Sequence, residues 1–474
     1  YGSSPPALPA GASGGSPVYG SAPSAPPSSP AAAPGVYGST TPPGVYGSAA
    51  PPGGPSGAAA PADAPEPKKR RGRLVAVLVS LLLLLGLVGA GAGFQLKREL
   101  PAATLTTSVA STLTVPGKAT ALPWPKVGSA ELMIEGLGRL GGKGKSAAQP
   151  IGSVAKVMTA YVILKEHPLE GDEEGPSITV TAADVADYQR RIPLGQSQVP
   201  IAVGTKLTER DALEALMLPS ANNVAHMLSI WDAGSEAAFL TKMNDAADEL
   251  GMTDTKYTDP SGYLPSTIST APDQVILGRA AIKMPVFAEI VAMTGSTIPV
   301  AGKIKNYNDL LGVEGVFGIK TGSTDEAGGN LLFASRLTVG TRTLILVGAV
   351  FNQPGANTPQ QLAEVNRVVK KLLVAVRKSV KEYEVLAAAP VGEVRTAWDA
   401  TSAVRPAAAL KVIGWPGLKV PVKVTTTAPG AQVTAGQPVG SVEARVGDSP
   451  VLVDLVAETA TPEPDLWWRL SRRP

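Results

Sequence analysis

Cysteine is absent from all 474 residues, and histidine occurs only at His167 and His226. Without thiols there is no disulfide stapling, no thiolate nucleophile and no cysteine-ligated zinc, although the compartment stays open. His167 sits in "KEHPLEGDEE", which reads as a solvated loop, and His226 lies on a helical pattern and reads as a partly buried packing residue. No further imidazole remains to complete a metal cluster of the commonest kind, so no cofactor or metal is expected. Any proton chemistry has to come from something other than a Ser-His-Asp arrangement. Net charge is nearly missing too: 42 Lys and Arg against 39 Asp and Glu leave +3, which gives no electrostatic case for nucleic acid.

Charge is also missing locally, in two different ways. Residues 1–67 carry only Asp63 and Glu66 among Pro, Gly, Ala and Ser, with a "VYGS" unit recurring at Val18, Val36 and Val45. Such a segment buries too little apolar surface to offset its chain entropy and is expected to be a disordered cytoplasmic tail. The stretch Leu74–Leu96, "LVAVLVSLLLLLGLVGAGAGFQL", has no charge in 23 residues and follows the basic cluster "KKRRGR". At 1.5 Å per residue it is long enough to span a hydrocarbon core of about 30 Å. Residues 68–96 therefore read as a single membrane anchor whose basic flank stays cytoplasmic, leaving the later residues outside the cell. The competing reading is a cleaved signal peptide with Ala90-Gly91-Ala92 as the cleavage triplet, which would leave a secreted protein.

Residues 97–124 read as a linker. From about 125 to 385 the pattern is mixed α/β. "AELMIEGLGRL" reads as an early strand and turn, and "SVAKVMTAYVILKEH" is apolar almost all round, as a buried helix is. "TERDALEALMLPSANNVAHMLSIW" reads as a helix pair broken at Pro219, Ser220 and Ala221. "GVFGIKTG", "NLLFASRLTVG" and "TRTLILVGAVF" are three strands of an antiparallel meander, and "QLAEVNRVVKKLLVAVRKSV" a closing helix. Over residues 386–474 the helical patterns stop and short alternating strands indicate a small all-β domain. At its end "DLWWRLSRRP" sets Trp467 and Trp468 beside basic residues, either as an aromatic edge on that domain or as a contact with membrane or cell wall.

Three short motifs follow in order inside the α/β region. Ser153 and Lys156 are three apart at the start of the buried helix, so an ammonium reaches a hydroxyl on one helix face. Ser220 and Asn222 lie in the helix break. Lys320, Thr321 and Gly322 end a strand, where a glycine lets another backbone approach closely. Each alone reads as a cap or a solvated strand end. Together, two serines and two lysines without a suitable histidine are the inventory of a serine acyl-transfer enzyme with lysine as base.

The ordered set resembles that of the penicillin-binding proteins and serine β-lactamases, with Ser-x-x-Lys, Ser-x-Asn and Lys-Thr-Gly. The wider text, "IGSVAKVMTAYVIL", "LTERDALEALMLPSANNVA", "LGMTDTKYTDPSGY" and "GVFGIKTGSTDEAGGNLLFAS", is similar to the D-alanyl-D-alanine carboxypeptidases of the S11 peptidase family, especially its actinobacterial members. The resemblance implies a central antiparallel sheet with a helical subdomain. It implies that Ser153 is the nucleophile toward the D-Ala-D-Ala end of a peptidoglycan stem peptide, with β-lactams as covalent inhibitors. Lys156 would be the general base, Ser220 the proton relay to the leaving D-alanine, and Asn222 a holder of the substrate amide and of Lys156. Lys320 and Thr321 would bind the terminal carboxylate beside Gly322, and the N–H groups of Ser153 and Ser323 would form the oxyanion hole. Rival readings are a D,D-transpeptidase, a class A β-lactamase and an inactive wall-binding scaffold. Against the lactamase, "LGMTDTKYTDPSGYLPSTIST" contains no glutamate to drive deacylation.

Overall fold

The computed structural model describes residues 69–473 apart from 120, 145, 146 and 448, so the segment 1–67 expected to be disordered lies outside the described residues. A helix runs over Lys69–Lys97, starting inside the basic cluster. Its stretch Gly72–Lys97, in which an 18-residue window has a mean hydropathy of 2.7, is long and apolar enough to cross a membrane.

The centre of the enzyme-like region is a five-stranded antiparallel sheet. Its order is Val316–Thr324, Gly328–Val339, Arg342–Gln353, Ser129–Ile134, Gly138–Lys143. The three strands expected as a meander are therefore neighbours, and the early "AELMIEGLGRL" segment becomes a hairpin on their far side. Period-two alternation sorts the side chains of the second strand. Leu331 and Phe333 pack with Val365, Val369, Leu372 and Val376 of the closing helix Thr358–Ser379. Leu332 and Ala334 face the opposite way, into a larger core of helical residues including Val154, Val157, Met158, Leu216 and Phe239. A sheet covered on both faces explains why these strands read as nearly continuous apolar runs. The sheet edge formed by 316–324 is the one left beside the helical subdomain.

Two helix starts in that subdomain are specified locally. Thr181 and Thr208 each accept from the N–H of the residue three positions on, while Asp184 and Asp211 return the bond to the cap N–H. The helix Glu236–Leu250 ends at Gly251 in the left-handed conformation, as its sequence suggested. His167 is not a free loop residue: its ring stacks on Trp231 at 4.3 Å between centroids, and its Nε2 lies 3.0 Å from Asp232 Oδ1.

The segment 97–124, expected to be a linker, differs from that reading. Thr104–Thr107 pairs with Gly392–Arg395, and Thr112–Thr114 pairs with Lys419–Thr426, at the two edges of a seven-stranded sheet built otherwise from the C-terminal residues. Ala103 and Val115 are buried in its core with Val394, Val404, Val442 and Leu455. Short Thr-rich strands carry little apolar periodicity of their own, because an edge strand is specified by the backbone groups it satisfies. The C-terminal stretch also departs from all-β: Leu466–Ser471 is a helix capped by Asp465. Trp468 meets Trp398 edge-on at 5.5 Å, Trp467 is 77% exposed, and Arg472 donates to the carbonyls of Gln95, Arg98 and Glu99.

Candidate active site

The turn that carries Ser153 begins one residue before the first motif. Gly152 takes a positive φ of 55°, which turns the chain into a single 3-10 turn, Gly152–Ala155, ahead of the α-helix Lys156–Glu166. Ser153 thus sits in a turn, half-exposed, and not in the first α-helical turn that the sequence suggested. It caps nothing; its Oγ accepts from Lys156 Nζ at 2.9 Å. Lys156 is fully buried and also donates to the Ser261 carbonyl at 2.9 Å. Burial first, and the charge of Lys320 next, drive the Lys156 pKa well below that of a free lysine; Asp259 opposes this, and Arg191 adds a smaller downward push.

Ser220 lies at the break between the helices Glu209–Met217 and Asn222–Ala233. Its φ is +66°, a conformation non-glycine residues rarely adopt, and its buried Oγ makes no hydrogen bond. The residue that caps the second helix is Ala221, so Ser220 is not the cap that an isolated serine at a helix break would be. Asn222 opens that helix; its Nδ2 donates to Gln196 Oε1 at 2.9 Å, while its Oδ1 is buried without a partner.

The third motif comes from the sheet edge. Lys320 is opposite Leu332 in the ladder, so its side chain shares the face turned toward the helical subdomain. Only 2% of it is exposed, and burial lowers its pKa to about 7. Thr321 is buried at the same edge. Gly322 is required by close approach: a Cβ there would come within 2.8 Å of the Ile151 oxygen and 3.0 Å of the Ser153 amide nitrogen. Ser323 turns its hydroxyl away, donating to Thr358 Oγ1 and Gln361 Oε1. Its backbone N is close to the turn, 3.1 Å from where a Cβ on Gly152 would sit.

The fold therefore brings Ser153, Lys156 and the Lys320–Ser323 strand together, with Ser220 and Asn222 at a helix junction packed on the same core. The sequence alone assigns no catalytic role to the loop "TDPSGY". Asp259, 5% exposed, accepts from Ser261 N and Oγ, Tyr263 N, Leu264 N and Thr267 Oγ1, and so knots residues 259–267. The knot presents the Pro260 carbonyl to Thr159 and the Ser261 carbonyl to Lys156. An Asp-Pro-Ser-Gly run signals such a turn, but not which lysine its carbonyl meets.

The chain is similar to known proteins. The family described as D-alanyl-D-alanine carboxypeptidase, peptidase S11, matches residues 140–354. The D-alanyl-D-alanine carboxypeptidase DacB2 of Mycobacterium tuberculosis is 35% identical over 218 residues, covering 44% of this chain and 68% of that protein. The D-alanyl-D-alanine carboxypeptidase of Streptomyces sp. strain K15 is 34% identical over 220 residues, covering 43% of this chain and 73% of that protein. The crystal structure of the Streptomyces K15 DD-transpeptidase aligns with 53% of this chain and 100% of its own, at 27% identity and a TM-score of 0.46. The chain belongs to the S11 peptidase family of D-alanyl-D-alanine carboxypeptidases.

Proposed function

We propose that this serine-type carboxypeptidase removes the terminal D-alanine of peptidoglycan stem peptides through an acyl-enzyme on Ser153. The observation that carries the assignment is the fully buried Lys156 amine, 2.9 Å from Ser153 Oγ and beside a second buried lysine. A lysine serves as general base only when neutral, and burial next to a like charge favours the neutral form. In this reading Ser153 Oγ attacks the carbonyl of the penultimate D-alanine as Lys156 takes its proton. Ser220, whose hydroxyl is uncommitted, passes a proton to the departing D-alanine amine. The N–H groups of Ser153 and Ser323 receive the oxyanion, Lys320 and Thr321 the terminal carboxylate, and Asn222 the donor amide. Water then releases the shortened peptide and frees Ser153.

β-Lactams are expected to acylate the same serine and to leave slowly. Asp259, the carboxylate whose charge reaches Lys156, is committed to its loop and is a poor base for deacylation. The alternative reading is a D,D-transpeptidase. Both share the acyl-enzyme and differ in the acceptor. We further read Lys69–Lys97 as a membrane anchor that holds the catalytic domain on the outer side of the cell membrane.

A labelled penicillin should mark the protein covalently, Ser153→Ala should abolish the mark, and a peptide ending in D-Ala-D-Ala should release free D-alanine. Labelling that survives Ser153→Ala would overturn the site. Rapid penicillin turnover would favour a lactamase, and neither D-alanine release nor transfer to an added amine would favour a scaffold.

A further inference from the structure

Asn222 is an amide whose two ends look alike in shape and differ in chemistry. Which end faces the cleft decides whether the cleft is offered an acceptor or a donor. Here the choice is imposed from behind. Gln196 Oε1 accepts from Arg191 Nη1 at 3.1 Å and from Asn222 Nδ2 at 2.9 Å. A guanidinium only donates, so the Gln196 atom that meets it must be the carbonyl oxygen. That same oxygen, with a second lone pair, then requires Asn222 to present its NH2 group. The remaining Asn222 atom is therefore Oδ1, which is buried and unpartnered.

The support behind this chain is itself hydrogen-bonded. Arg191 is gripped by Asp187, which is 5% exposed and also holds Arg190. The Asn222 N–H donates to the Ser197 carbonyl at 2.8 Å. The neighbouring Asn223 clamps Val199, accepting from its N–H at 3.1 Å and donating to its carbonyl at 2.9 Å. Asn222 and Arg191 both line a cleft of about 190 Å³ with Asp259, Ser261 and Tyr263.

We propose that Arg191 and Gln196 are positioning residues for acylation, which fix the polarity of the Asn222 amide so that its carbonyl oxygen faces the reacting groups. This rests on the reading of Asn222 as part of the acyl-donor site. With Oδ1 inward, Asn222 accepts from a proton-bearing nitrogen, such as the Lys156 ammonium formed as Ser153 loses its proton. An inverted amide would set N–H against N–H at the moment charge develops.

The test compares two replacements of similar size in the full chain, by the second-order rate of labelling with a fluorescent penicillin and by the thermal midpoint. Gln196→Met removes the acceptor and should slow acylation roughly tenfold or more, the scale of one lost buried hydrogen bond. Gln196→Glu keeps an acceptor toward both partners and should recover most of the rate. A purely structural role would make acylation follow the thermal midpoint and not this split. If Gln196→Met does not fold, Arg191→Met reports instead, followed across pH because loss of that charge also lets the Lys156 pKa rise. Slow acylation in Asn222→Leu with normal acylation in Gln196→Met would overturn the relay alone. Normal acylation in Asn222→Leu would overturn the assignment of Asn222 itself.

Discussion

In the proposed mechanism the two buried lysines do opposite work, and their pKa values set the sign of each effect. Lys156 has to be neutral to take a proton, and its lowered pKa widens the range in which it is neutral. Lys320 has to be charged to hold a carboxylate, and burial brings it to about 7. The rate of acylation by penicillin is therefore expected to fall as pH rises through about 7 in the free enzyme. Lys320→Arg, which stays charged at any accessible pH, should remove that alkaline limb. An unchanged limb in that variant would take Lys320 out of carboxylate binding. The same shift has a cost in stability. Between about 7 and the ordinary 10.5 the unfolded chain binds the proton that the folded chain has lost, so this group's penalty is full below about 7 and eases as pH rises across that window. The individual site residues were legible because their types and order are chemically unusual. Gln196 and the Ser261 carbonyl were not, because an ordinary glutamine and a backbone oxygen gain meaning only from what lies against them.

Among the elements, long periodic ones were readable and short ones were not. The closing helix Thr358–Ser379 and the strands Gly328–Val339 and Arg342–Gln353 announce themselves through apolar stripes and runs, since each buries enough surface to require them. Thr104–Thr107 and Thr112–Thr114 are a few residues each, and their reason for existing is a pairing partner about 300 positions away. Their membership of the C-terminal sheet makes a direct prediction. Ala103→Asp would bury an unpaired charge in that core and should lower stability by about 3 kcal/mol, read from urea unfolding. A linker position would tolerate the same change within about 0.5 kcal/mol, and that result would remove residue 103 from the core.

For the whole molecule, the question is where catalysis takes place. On the proposed reading, the apolar helix that starts inside a basic cluster and precedes all three motifs holds the enzyme at the membrane surface. The full chain should sediment with membranes and resist extraction by salt, while residues 98–474 should be soluble and still label with penicillin. A soluble product whose new N-terminus falls near Ala92 would show cleavage in place of anchoring.

The sequence by itself determined the reaction class, the order of the motifs and the position of the apolar span. Residue type and local periodicity carry chemistry and secondary structure without reference to distant partners. Only the tertiary structure decided that Gly322 lies against the turn carrying Ser153, that the Ser261 carbonyl meets Lys156 and that one Gln196 oxygen accepts from both Arg191 and Asn222. Each of these depends on close approach between segments far apart in the chain, and such an approach follows from packing two faces of one sheet, not from any local pattern.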